Sequence, residues 1–181
     1  MKKFFAVALA LVMMLCCACA LAEAAYSYSE YSYDESLFTE IGGEWIAMEG
    51  LGLMFYQPDI YLPAEVPQEA ADQGIVALFM SEGGTSEFSI SYGPAIDVEG
   101  NPAASIEDLA AYYTALGATN VDVIIVNGIP VVTSLFEESN ILNYSVFFAD
   151  STQCIVTFAP ASDANTAVMG GLVITTLMVM E

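Results

Sequence analysis

The chain has 181 residues, 56% of them hydrophobic, with 23 acidic side chains, two basic ones and no histidine, for a formal charge of −21. Capture of nucleic-acid phosphates or anionic lipid headgroups rests on Lys and Arg, so both partner classes are excluded. The missing histidine removes Ser-His and Cys-His nucleophile pairs and imidazole metal sites.

Residues 1–24 read as a secretory signal peptide. Lys2 and Lys3 form a charged start and Phe4 to Ala20 an apolar run. Ala20-Leu21-Ala22 and Ala22-Glu23-Ala24 are alternative cleavage sites of the A-x-A type. The run is short for a membrane span, and no basic stop-transfer cluster follows. Cys16, Cys17 and Cys19 stand near its end. Cys19, however, has Cys16 where a lipid-acceptor site carries an aliphatic residue, so secretion from a bacterial-type cell is favoured over a lipoprotein anchor. Cleavage removes both lysines and Glu23, leaving 22 carboxylates without a Lys, Arg or His to pair with. Mutual repulsion keeps such a domain soluble and weakens it at low salt. Cys154 is then the one remaining cysteine, read as a small buried hydrophobe on a strand.

Residues 25–40 alternate Tyr and Ser (Tyr26, Tyr28, Tyr31, Tyr33 among Ser27, Ser29, Ser32) without an aliphatic anchor. A flexible leader is expected there, and a single domain over 41–181. Glu44–Glu49 and Leu51–Tyr56 read as short strands around Gly50, ending at Pro58. Pro63 and Pro67 bracket a loop, followed by a helical turn at Glu69–Gln73. Ile75–Met80 and Glu87–Tyr92 are strands around a Gly83-Gly84 turn, with Phe88, Ile90 and Tyr92 on one face. A helix follows, with Ser105 as N-cap, Glu107 and Asp108 in its first turn and Gly117 just past its end. Its apolar stripe is Ile106, Leu109, Ala110, Tyr113 and Leu116. Val121–Val126 and Ile129–Phe136 flank the hairpin signal Asn127-Gly128. Leu142–Ala149 and Gln153–Ala159 continue the meander to Pro160. Ser162-Asp163 opens a C-terminal helix over 164–180, whose β-branched end (Val173, Ile174, Thr175, Thr176) is also compatible with a strand. The fold class is α+β: an antiparallel sheet of about six to seven strands with helices packed on its faces, an α/β/α sandwich.

Three segments carry a family resemblance: Leu51-Gly52-Leu53-Met54-Phe55-Tyr56-Gln57-Pro58, the helix around Leu109-Ala110-Ala111-Tyr112-Tyr113 leading to Asn127-Gly128-Ile129-Pro130-Val131-Val132, and the closing Thr157-Phe158-Ala159-Pro160-Ala161. Over residues 44–180 the order of elements resembles the PsbP-like superfamily, which includes the Ran-release factor and actinobacterial cell-wall lipoproteins. The resemblance implies a sheet covered by helices on both faces, and binding or assembly in place of catalysis. No functional residue carries over, and any partner surface built elsewhere on Lys or Arg is missing here.

The remaining chemistry belongs to carboxylates. A glycosidase needs two acids facing across a cleft, and the pairs Glu137/Glu138 and Glu107/Asp108 are adjacent in sequence, so a solvated turn and a charged first helical turn are the simpler account. Oxygen ligands suit calcium. Asp97-Val98-Glu99-Gly100-Asn101 through Asp108 places oxygen side chains at Asp97, Glu99, Asn101, Ser105 and Asp108. Glycine falls at the fourth place and Pro102 at the sixth, which departs from the loop that calcium prefers. Asp97, Glu99, Asn101 and Asp108 are the candidate metal ligands, and calcium is the only candidate cofactor. Trp45, Tyr56 and Tyr61 suggest either a sugar platform or aromatic core. The expectation is a secreted, acidic, non-catalytic binding or assembly module for a cationic or neutral protein or ligand. A calcium-stabilised extracellular module and a carboxylate-only hydrolase are the alternatives.

Overall fold

A computed structural model describes residues 29–31 and 41–180, with backbone alone at 164 and 165. The expected signal peptide and most of the leader lie outside the described residues.

The core of the fold is the meander of β7 (Thr119–Val126), β8 (Ile129–Phe136), β9 (Ile141–Phe147) and β10 (Thr152–Ala159), paired antiparallel in sequence order. Asn127 and Gly128, both at positive φ, make the tight turn between β7 and β8 that the dipeptide predicts. Beyond β10 the sheet continues through β6 (Glu87–Pro94), β5 (Ile75–Ser81) and β4 (Tyr61–Ala64). At the opposite edge β1 (Ser29–Tyr31) lies parallel to β7. Eight strands thus replace the expected six to seven, because two of them were read as leader and loop. The edge of β7 accepts β1 through backbone pairing, which needs no aliphatic anchor, and the Asn127 N–H donates to the Tyr31 carbonyl. Pro63 is tolerated in β4 because that strand is the other edge, where a missing N–H costs no ladder bond.

A second, three-stranded sheet is formed by β2 (Gly43–Met48), β3 (Leu53–Pro58) and β11 (Met178–Val179). The three helices are α1 (Gln68–Ala71), α2 (Ile106–Ala115) and α3 (Ala164–Thr175). The C-terminal helix therefore stops five residues short of the expected 180. Thr175 and Thr176 hydroxyls bond back to the Leu172 and Val173 carbonyls, Thr176 Oγ1 accepts the Tyr56 N–H, and Met178 pairs with Met54. The β-branched end thus ends the helix, and the strand begins after it.

Strand alternation sends two cores to opposite faces. On one face Val123 and Val132 meet Ile106, Leu109, Ala110 and Tyr113 of α2. The last residue of the expected stripe, Leu116, is the C-cap and is 53% exposed. On the other face Val131, Val146, Val156, Phe88 and Phe158 meet Leu53 and Phe55 of the small sheet and Val173 and Ile174 of α3. Helices on both faces of an eight-stranded sheet make an α/β/α sandwich.

Candidate functional site

The small sheet and α3 cover only part of their face. Where the start of β7, the end of β8 and the start of β9 extend past them, the sheet floor is left open as a groove of about 390 Å³. Ile124, Thr133, Leu135, Leu142 and Tyr144 form its half-buried floor, Tyr31 one wall, and Gly171, Ile174 and Thr175 of α3 the other. Asn120 and Asp122 close the β7 end. Asp122 shares the face of Ile124, two residues on, and its Oδ1 accepts the Val123 N–H. Nearby, Thr119 Oγ1 donates to Glu137. Burial, and then the neighbouring Tyr31, push the Tyr144 phenol above its ordinary range. The ring stands edge-on to Phe158 at 5.9 Å.

Asn127 holds the walls of this groove together. Its side-chain amide donates to the Thr175 and Leu177 carbonyls, both at 2.9 Å, pinning the end of α3 to the β7–β8 turn. A second hollow of about 250 Å³ lies beside α3 among Ile41, Val168 and Leu172, and shares Gly171 and Thr175 with the groove.

The residues singled out from sequence lie elsewhere. Asp97, Glu99 and Asn101 do come together: Asp97 Oδ1 accepts the Glu99 and Asn101 N–H groups, and the Asn101 amide reaches both carboxylates. The Asn101 backbone bond is the main reason the Asp97 carboxyl sits below its ordinary range. Asp108 is committed to a capping box, its Oδ2 accepting from Ala104 and Ser105 while Ser105 Oγ accepts the Asp108 N–H. Among the described residues no three acidic or cysteine side chains converge as a metal cage. Of the adjacent acid pairs, Glu137 bonds to Thr119 and Asp108 caps α2, so neither pair is set across a cleft. Tyr61 is core, while Trp45 is 39% exposed and meets Tyr56 edge-on at 5.7 Å. That geometry offers no flat aromatic platform. Cys154 is buried, which pushes its thiol up to about 12. Gly83 and Gly84 form the β5–β6 hairpin turn.

Sequence reasoning missed the groove because its lining comes from five separate elements. Only the alternation of Asp122, Ile124 and Val126, with a charge in an otherwise apolar series, hinted at it.

Comparison with solved structures makes this a PsbP-like fold. The solution structure of cyanobacterial PsbP (CyanoP) from Synechocystis sp. PCC 6803 matches with a TM-score of 0.53 and 13% identity over 75% of this chain and 91% of that one. The Ran-binding protein Mog1p of Saccharomyces cerevisiae matches at 0.44 and 10% identity, over 78% of this chain and 97% of its own. A Bacteroides thetaiotaomicron protein matches at 0.44 and 16%, over 77% of this chain and 49% of that one. No family profile and no characterised sequence matches the chain. The likeness is therefore one of architecture, and function must be argued from the site. No described helix is long and apolar enough to cross a membrane.

Proposed function

We propose that this protein is a secreted, non-catalytic binding module that engages a cationic or neutral partner through the groove on the open half of its large sheet. The groove carries the reading. It is concave, mostly apolar and within the size range of ligand pockets, and the sandwich fold leaves it uncovered. Catalysis lacks support: the groove holds one carboxylate, and no basic side chain exists outside the expected signal peptide to act as base, clamp or Schiff-base amine. An overall charge this negative repels anionic partners and speeds encounter with cationic ones.

Random peptides displayed on phage, selected on the protein and counter-selected on Leu142→Asp and Tyr31→Ala variants of unchanged melting temperature, test the assignment. Peptides retained by the parent and lost by both variants are expected. Peptides that ignore both changes, or none above background, would sink it. The mass of the product recovered from the culture medium, starting at Glu23 or Ala25, checks secretion; retention of residues 1–22 in a cell-bound form would refute it.

A further inference from the structure

The paired glycines of α3 differ in kind. A Cβ on Gly170 would stand 3.3 Å from the Phe158 ring, so core packing accounts for that glycine. A Cβ on Gly171 would meet nothing within 4 Å. Glycine inside a helix costs stability relative to alanine, and no packing constraint explains it here. Its position supplies a reason: Gly171 is the bare crest between the groove and the hollow at Ile41, Val168 and Leu172, and it lines both.

Resting on the binding-module reading, we infer that an extended segment of a partner protein crosses α3 at Gly171, places one apolar side chain in each hollow and sets a flanking Lys or Arg against Asp122. Side chains at i and i+2 of an extended chain lie on one face about 7 Å apart, so one such segment can point two side chains down on either side of Gly171. The missing Cβ lets the partner backbone approach closely. The floor of Ile124, Leu135, Leu142 and Tyr144 takes the larger side chain, and Asp122 lies at the end of that floor. A second copy of this chain is a poor occupant, because beyond its signal peptide it carries 22 acidic side chains and no Lys, Arg or His to offer Asp122.

The test uses the protein as expressed from the full-length sequence and three synthetic nonapeptides. All share Phe and Leu at i and i+2 and differ only at one flanking position: Lys, norleucine or Glu. Calorimetry should rank them Lys, norleucine, Glu, with about tenfold between the extremes, an energy gap ordinary for one favourable and one repelled charge. Asp122→Asn should remove the preference for Lys and leave the norleucine peptide unchanged. Gly171→Leu should abolish binding of all three without lowering the melting temperature. Affinity for the Lys peptide within twofold of the parent in Gly171→Leu overturns the crossing, and equal affinity of the parent for Lys and Glu overturns the charge contact. If binding survives both changes but is lost in Leu142→Asp, this inference fails and the binding module stands. Failure of every nonapeptide to bind overturns the crossing, while the binding module stands or falls with the random-peptide selection. Dimers in sedimentation that vanish in Gly171→Leu would assign the crest to a second copy instead.

Discussion

Asn127 does three jobs, and they can be separated by substitution. Its positive φ makes the β7–β8 turn, its N–H donates to Tyr31, and its amide holds the Thr175 and Leu177 carbonyls. Asn127→Gly keeps the turn and the backbone bond and removes only the amide. With two carbonyls left to water, a loss of about 2 kcal/mol is expected in urea unfolding. A change below about 0.5 kcal/mol, the range of an ordinary surface substitution, would mean the amide does not pin α3. Tyr113 allows a test by pH. Its hydroxyl donates to Gln153 Oε1 and accepts from Ser145 Oγ beneath α2, and burial pushes the phenol up to about 12. The folded state therefore keeps a proton that the unfolded state releases from pH 10 upward. Stability is intact below pH 10 and falls by about 1.4 kcal/mol per pH unit toward 12. The Cys154 thiol, raised from 9.0 to about 12, adds a loss of the same sign that begins one unit lower. Absorbance at 295 nm should show Tyr113 lagging toward 12 and Tyr144 titrating late in the folded protein, merging with the other tyrosines in urea. One common folded-state transition near 10 would contradict the buried network.

At the scale of elements, α3 poses the sharpest question, since two adjacent glycines in one helix are assigned opposite reasons. Gly171→Ala, with open space around its Cβ, should raise stability by about 0.5–1 kcal/mol. Gly170→Ala gains the same helix propensity but drives a methyl into the Phe158 ring, an overpacking cost of about 1–3 kcal/mol, so its melting temperature should fall. Two variants of equal sign would show that the Phe158 contact does not constrain α3. The periodicities of the meander, the capping box at Ser105 and the Asn127-Gly128 turn were readable in the residues because each is decided within a few positions of itself. The calcium reading of Asp97–Asp108 rests on the same kind of local spacing. What that spacing did not reveal is that the Asp108 carboxylate is engaged as the cap of α2, accepting from the Ala104 and Ser105 N–H groups. β1, β4 and β11 were hidden because edge strands are set by the backbone edge they join, which Tyr-Ser alternation or a proline does not reveal. The groove was hidden for a related reason: it is an absence of cover, decided by how far α3 and the small sheet extend.

Across the whole molecule, 22 acidic side chains beyond the signal peptide have no Lys, Arg or His to face, so the folded state carries a repulsion that the expanded chain relieves. Screening acts within a Debye length of about 10 Å at 0.1 M salt, comparable to the spacing of charges on a domain this small. The melting temperature should therefore climb steadily from 0.01 to 0.5 M sodium chloride, with sodium and potassium equivalent. Calcium and magnesium, compared at matched ionic strength, should match one another, and a chelator should do nothing in sodium alone. Asp97→Asn should leave the salt response in place, since the Asp97 carboxylate is spent on the Glu99 and Asn101 N–H groups. A rise specific to calcium at low millimolar concentration, lost in Asp97→Asn, would reveal a binding event linked to folding and identify the loop as a metal site. A melting temperature indifferent to salt would mean that the carboxylates are spaced widely enough for water alone to manage them. The groove's preference for a cation would then rest on Asp122 by itself.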